Sequence, residues 1–395
     1  MQRRRLGMFK ETFRPGKFHI DTLVIRRGVK YTNGCIKYST PLYENIYNIS
    51  IDVDVKKLGN YLNLILLKDI YFNINKMKIL SWNVNGIRSN ILDFTNSSNK
   101  KTREINDTSA LSLILKKYSP DIICFQETRL GEDNYKLFIG ESIETAFPYR
   151  YWSSSKKEKA RSGNRYSGTS IWCKNKPDNI IYEIEGLDNQ EGRVIQIEYG
   201  NNIIITTYTP NAGSNWDYRL NIWEPVINKY ISKLIKKKKN IVYCGDNNIA
   251  NKEDVWFGEI LEKKLLQEQN KDATSDITKK LKRLVKSKEK LHDGRTSLCG
   301  YSLEEREAFK KLIAENNLVD CFRFKNPNVV DKFSWFNIRI RGSFKSNKGW
   351  LIDRFLVNKK LRSKIKDCKI LYDFGTHFND KFISDHLPVY LEIKL

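Results

Sequence analysis

One kind of boundary recurs in this chain and constrains its fold more than any other feature. Short apolar runs end abruptly in carboxylates and amides. Ile241-Val242-Tyr243-Cys244 is apolar and partly β-branched, which predicts a buried strand, and Gly245-Asp246-Asn247-Asn248 follows it as a turn. Ile79-Leu80-Ser81-Trp82 runs into Asn83-Val84-Asn85, and Ile122-Ile123-Cys124-Phe125 runs into Gln126-Glu127. Near the end of the chain, Ser384-Asp385-His386 supplies the same kind of polar group beside a last apolar run. Strands that finish this way set polar groups along one sheet edge, where loops carry chemistry. The expectation is that these four ends meet.

The rest of the chain fits an α/β frame around them. Residues 78–84 predict a strand, 110–118 a helix closed by Ser119-Pro120, and 121–126 a second buried strand. Strand-like runs follow at 167–174, 193–198 and 202–208. Leu220, Trp223, Ile227, Tyr230, Ile231 and Leu234 recur at helical spacing, with Pro225 marking a bend or a late start. The lysines at 236–239 end that helix, where cations are favoured. Ser302-Leu303-Glu304-Glu305 is a capping box opening a helix through Ile313. Strands are predicted at 333–340, 350–357 and 389–393. Strands and helices in this order predict a four-layered α/β sandwich, two packed mixed β-sheets flanked by helices. Residues 77–395 form that domain. Residues 255–296, dense in Lys, Glu and Gln, read as a solvated insertion. Residues 1–76 read as a basic extension, either a targeting sequence or a disordered tail.

Charge narrows the partners. The formal net charge is +24, from 70 Lys+Arg against 46 Asp+Glu, which points to a polyanion and above all to nucleic acid. No stretch approaches the roughly 18–20 apolar residues of a membrane span, so no membrane partner is expected. The seven cysteines show no CxxC, and Cys124, Cys173 and Cys244 lie inside apolar runs. They read as core thiols of a reducing compartment rather than as disulfides or zinc ligands.

Three groups carry candidate chemistry. Glu127 ends a buried strand with no evident structural use, and a divalent cation such as Mg²⁺ takes oxygen ligands of this kind. His386 follows Asp385 and precedes a strand, the place of a general acid/base or a phosphate-binding cation. Asp353 is a carboxylate within the apolar run Trp350-Leu351-Ile352-Asp353, and a buried carboxylate needs a partner. His386 would serve.

Over residues 77–395 these segments resemble, in order, the motifs of the exonuclease III family of apurinic/apyrimidinic (AP) endonucleases, in the endonuclease/exonuclease/phosphatase superfamily. The resemblance rests on Lys78 to Arg88, Pro120 to Thr128, Tyr166-Ser167-Gly168 and Glu191-Gly192-Arg193-Val194. It continues through Tyr208-Thr209-Pro210-Asn211-Ala212-Gly213, Cys244 to Ala250, Glu305-Arg306-Glu307, Gly349 to Asp353 and Ser384-Asp385-His386. The Pro-Asn-Ala-Gly element separates this family from its phosphatase and sphingomyelinase cousins.

The resemblance implies a role at each matched position. Glu127 would bind Mg²⁺, or Mn²⁺ as a substitute, with Asn83, Asp385, Asp246 and Asn248 nearby. Asp246 would deprotonate the attacking water, and Asn248 would help hold it. His386, paired with Asp353, would bind the scissile phosphate, with Tyr208 and Asn211. Trp350 and Ile352 would line the pocket for the base-free sugar, and Arg193 would lie on the substrate side. The implied reaction is hydrolysis 5′ of an abasic site in double-stranded DNA by a monomer, with 3′-phosphodiesterase and 3′→5′ exonuclease activity. Basic residues expected near the active edge are Arg88, Arg129, Arg165, Lys174, Arg339, Arg341, Lys345 and Lys348, while Trp335 reads as core. The chain departs from the family pattern at Asn85, Ser214, Asn247 and Ser334, the last expected to loosen the pocket, and in its longer insertion. A nuclease or phosphoesterase acting on RNA and a binding protein without catalysis are the rival readings. The expected location is the nucleus or a DNA-containing organelle.

Overall fold

A computed structural model of the chain describes residues 31–32, 35–36, 76–87, 110–131, 145–156, 166–213, 215–271, 276–282, 299–373, 375–378 and 381–395. The chain divides into two compact units, Met1–Ile74 and Asn75–Leu395. In the first, Tyr31–Thr32 pairs antiparallel with Cys35–Ile36.

The second unit holds two six-stranded mixed sheets. The first contains β1 (Lys76–Asn83), β2 (Ile122–Gln126), β3 (Tyr149–Ser153) and β4 (Thr169–Cys173), with helix α1 (Ala110–Tyr118) between β1 and β2. The second contains β5 (Asn179–Ile181), β6 (Val194–Tyr199), β7 (Asn202–Tyr208) and β8 (Asn240–Asp246), with α2 (Glu224–Lys236) between β7 and β8. Then come α3 (Glu259–Lys271), α4 (Leu303–Glu315), β9 (Leu318–Asp320), the short pair β10 (Trp335–Phe336) and β11 (Gly349–Trp350), and β12 (Asp353–Asn358). The chain closes with β13 (Ile365–Ile370) and β14 (Val389–Lys394). The sheet orders are β13-β14-β1-β2-β4-β3 and β9-β12-β8-β7-β6-β5.

Alternation along the strands builds the layers. Ile122 and Cys124 face the other sheet, where they join Ile204, Val242, Cys244 and Phe355 in one buried cluster. Ile123 and Phe125 point the opposite way, onto Leu111 and Ile114 of α1. In the second sheet Ile203, Ile205, Ile241 and Tyr243 face out, onto Ile227 and Ile231 of α2 and Phe309 of α4. Each sheet is therefore apolar on both faces, and four layers result. Cysteines 124, 173, 244, 299, 321 and 368 are free thiols.

Four expectations change. Residues 333–340 form a strand only at Trp335–Phe336, because Ile340 N bonds Asn337 O and Ser343 N bonds Ile340 O, turning the chain. The run 350–357 breaks at Leu351-Ile352, whose amides bond Asp254 O and Ser334 Oγ instead of a neighbouring strand. The insertion is not wholly solvated: Val255, Phe257, Leu265 and Leu281 are buried together with Ala250 and Ile352. Lys174 lies beyond the end of β4 that pairs with Ile122, so antiparallel pairing carries it away from the Glu127 end of β2, and it bonds Asp121. Arg88 and Arg165 lie outside the described residues.

Candidate active site

The strand registers bring the polar ends to one edge. β1 and β2 are parallel, with Asn83 opposite Gln126. β7 and β8 are parallel, with Tyr208 opposite Asp246, and β12 runs antiparallel so that Asp353 also stands opposite Asp246. Gln126 spans the two sheets just beneath, donating to Thr206 Oγ1 at 2.8 Å and Ser81 Oγ at 3.2 Å. Gly245 is required for this approach. It has φ of 131°, and a Cβ there would lie 2.0 Å from the Thr207 carbonyl oxygen.

Asp246 is buried at the centre. Its Oδ1 accepts from the Asn248 amide at 2.8 Å, and its Oδ2 accepts from Asn83 Nδ2 at 2.9 Å. His386 Nε2 stands 3.8 Å from the same Oδ2, while Nδ1 is 2.9 Å from Asp353 Oδ2. Burial, followed by the charge of Asp353, pushes the Asp246 carboxyl up to about 7, against the pull of His386. His386 is buried too, which opposes its charge, but Asp353 and Asp246 hold the imidazole up to about 10. Ser384 fixes this corner, donating to Asn83 O at 2.8 Å and accepting from the His386 amide at 3.1 Å.

Glu127 forms a second cluster, joined to the first by Asn83. Its Oε1 accepts from the Tyr208 hydroxyl and from Asn83 Nδ2 at 3.3 Å, and its Oε2 pairs with Arg129 at 2.6 Å. Burial works against the charge, yet Arg129, Tyr208 and His386 hold this carboxyl below its ordinary value. Burial and the Glu127 charge push the Tyr208 phenol well above its own. Glu127 has φ of 50° and Asn248 φ of 47°, a left-handed backbone that Asn tolerates and Glu seldom adopts. Asp385 sits across the Asn83-Val84-Asn85 turn, its two oxygens accepting from Asn85 Nδ2 at 2.9 Å and Trp335 Nε1 at 3.0 Å. Trp335 is thus half-buried and hydrogen-bonded at the site rather than core. It packs on Trp350, with ring centroids 5.6 Å apart, in a cluster that includes Ile352.

Some expected positions stand apart. Asn211 is exposed, and its Oδ1 accepts from Gly213 N at 2.9 Å within its own turn. Arg193 is buried behind Tyr208, its guanidinium 4.5 Å from that ring and bonded to Tyr208 O, Glu191 and Tyr166. Asn248 Nδ2 donates to Thr209 O at 2.8 Å. Ser334 does not loosen the pocket wall: its hydroxyl accepts from the amides of Ile352 and Asp353 at 3.1 and 3.0 Å.

The sequence reading missed Arg219. This fully buried guanidinium bonds Glu224, Pro210 O and Asn247 O, from a π-helical turn over Tyr218–Trp223. Its one visible signal is the Arg219/Glu224 spacing around Trp223, which resembles many surface pairs.

Donor chemistry at this edge suits a hard cation. Asp246, Asp353 and His386 offer ligand atoms within 4.8 Å of one another, and Glu127 and Asp385 add carboxylate oxygens at the rim. A buried carboxylate beside an acid-held imidazole is the equipment of a general-base hydrolase.

Residues 80–386 match the model of the Endonuclease/Exonuclease/phosphatase family. The chain belongs to that family. It is 31% identical over 326 residues to an exodeoxyribonuclease of Bacillus subtilis (strain 168), covering 81% of this chain and 100% of the relative. It is 27% identical over 326 residues to a DNA-(apurinic or apyrimidinic site) endonuclease of Dictyostelium discoideum, covering 81% of this chain and 72% of that one. An AP endonuclease structure from Archaeoglobus fulgidus superposes with a TM-score of 0.57 at 21% identity, covering 81% of this chain and 100% of that one, a likeness of fold.

Proposed function

We propose that the protein is a Mg²⁺-dependent AP endonuclease that hydrolyses the phosphodiester bond 5′ of abasic sites in double-stranded DNA during base excision repair. The same site would trim 3′ ends, as a phosphodiesterase and 3′→5′ exonuclease. The observation that carries this reading is the position of Asp246, which faces His386 while Asn83 and the Asn248 amide fix its carboxylate.

Asp246, poised near neutrality, takes the proton of the attacking water as its oxygen bonds to phosphorus. Hydrogen bonds from Asn83 and the Asn248 amide aim the carboxylate. His386 enters as the imidazolium that Asp353 stabilises, and its Nε2–H donates to a non-bridging phosphate oxygen. Tyr208, kept protonated, is a second donor to the phosphate, and Arg193 holds its ring from behind. The bond from phosphorus to the 3′ oxygen then breaks, and that oxygen takes a proton from solvent to leave as the 3′ hydroxyl. Glu127 and Asp385 would hold Mg²⁺, or Mn²⁺ in its place, which supplies positive charge to the developing phosphorane and the leaving oxygen. Trp335, Trp350 and Ile352 form the apolar wall against which a base-free sugar fits.

Exposed Arg339, Arg341 and Lys345 on the β10–β11 connection supply phosphate contacts. Among the described residues no helix is long and apolar enough to cross a membrane. The working unit is a monomer acting in the nucleus or in a DNA-containing organelle. Cleavage of a labelled duplex with one abasic-site analogue, with Mg²⁺ or EDTA, tests the reading beside Glu127→Ala. Incision 5′ of the site that needs the cation and Glu127 is expected. Binding without incision under every divalent cation would overturn it.

A further inference from the structure

The catalytic groups occupy one pole of the sandwich, and the opposite pole carries cations that the reaction does not use. Residues 236–239, four consecutive lysines, lead into β8, whose far end is Asp246. β12 begins at Asp353, opposite Asp246, and ends at Asn358 on the lysine pole. There the 3₁₀ segment Lys359–Lys364, with Lys359, Lys360, Arg362 and Lys364 exposed, carries the chain from one sheet to the other. Lys76, partly exposed, opens β1 at this pole beside the end of β14.

These pieces form one surface. Lys360 Nζ donates to Lys238 O at 2.8 Å, and Asn358 Nδ2 donates to Lys239 O at 2.9 Å. Acids at this pole include Glu198, facing Lys239 at 3.7 Å, Glu392, facing Lys76 at 3.1 Å, Asp367, facing Lys369 at 2.9 Å, and Asp178, which accepts from Gly200 N at 2.6 Å. A surplus of positive charge remains.

The surface chemistry selects the partner. Large exposed apolar side chains among the described residues are Tyr182, Ile222, Leu266, Leu303, Ile338 and Ile340, and none lies on these segments. A lipid-facing surface wants apolar side chains beside its cations, whereas a phosphodiester backbone is met by cations alone. The two poles are separated by the seven residues of β8, about 20 Å of strand. Duplex DNA is stiff over about 150 base pairs, so the segment held at the catalytic edge does not bend round to the other pole. We infer that the lysine-rich pole binds the phosphate backbone of a second segment of duplex DNA, without sequence preference, while the catalytic edge engages the first. The choice of DNA rests on the function proposed above.

The test uses the full chain and the variant K237E/K238E/K360E/K364E, with all four residues exposed in the parent. Two differently labelled undamaged duplexes report bridging, and a short abasic duplex reports incision. The parent should bridge. The variant should lose bridging and keep its incision rate on the short duplex. Its slope of log affinity against log salt on a long duplex should flatten by about 0.9 for each contact removed. Equal bridging and equal slopes in parent and variant would overturn the inference. So would parent binding to phosphatidylserine-containing vesicles that the variant loses while bridging persists. If charge reversal prevents folding, K237Q/K238Q/K360Q/K364Q must give the same loss of bridging. A parent that bridges but does not incise would sink the endonuclease reading and leave the surface standing.

Discussion

Arg219 donates to the carbonyl oxygen of Asn247 at 3.1 Å and, from the same guanidinium, to the carbonyl oxygen of Pro210 at 2.6 Å. One side chain thereby clamps the loop after Tyr208 to the loop that carries Asp246 and Asn248. Lysine offers a point charge in place of a planar fork and cannot serve both carbonyls and Glu224 together. Arg219→Lys should lower kcat for incision by up to about 10²-fold with little change in KM, because catalytic groups move slightly out of line. Arg219→Met leaves Glu224 buried without its partner and should cost about 3–5 kcal/mol, read from denaturant unfolding. Parental kcat in a folded Arg219→Lys would remove the positioning role.

Asp246→Asn keeps the shape of the side chain and loses the proton acceptor. The single-turnover incision rate should fall by about 10²–10⁴, with substrate affinity largely kept. A rate near that of the parent would assign the base to another group.

Asp353→Asn removes the anion 2.9 Å from His386 Nδ1. The imidazole, held up to about 10 in the parent, should titrate much closer to about 6.5 in the variant. Proton–nitrogen NMR of the histidine side chains measures this directly. Incision above neutral pH should weaken in parallel, since the imidazolium is lost there.

Asp254 gives the acid side of the stability curve. It is fully buried between Arg354 and Arg323. Burial opposes its charge, but the two guanidinium groups hold the carboxyl below its ordinary value. A depressed folded-state pKa adds stability that is present above the unfolded value of about 3.9 and is lost as pH falls through the lower folded value. Denaturant midpoints should drop across that acid window in the parent. Asp254→Asn should be less stable at neutral pH and flatter in the same window.

Much of the architecture could be read from residue order, for a physical reason. Ile122-Ile123-Cys124-Phe125 alternates between two apolar faces, and α1 and the Ser302–Glu305 capping box are set by neighbours in sequence. Asp353 stands out as a charge within an apolar run, Asp246 as a carboxylate closing one, and His386 as an imidazole between a carboxylate and a strand. Arg219 does not, since a buried arginine looks like a surface one until the chain folds over it. The burial of Leu265 and Leu281 is equally nonlocal, as it depends on Ile352 and Ala250 lying beneath them. β13, with Ile-Lys-Asp-Cys-Lys-Ile, is an edge strand too polar to stand out.

The register that sets Asp246 opposite both Tyr208 and Asp353 also works as a safeguard. Side chains alternate along a strand, so a slip of one residue between β8 and β12 would turn Asp353 away from Asp246 altogether. Asn83 comes from the first strand of the domain and His386 from just before the last. A chain still emerging from the ribosome, or cut short before Ser384, therefore has every strand end except the one that completes the acid–imidazole pair. If His386 binds the phosphate as proposed, incision begins only once the final strand has docked.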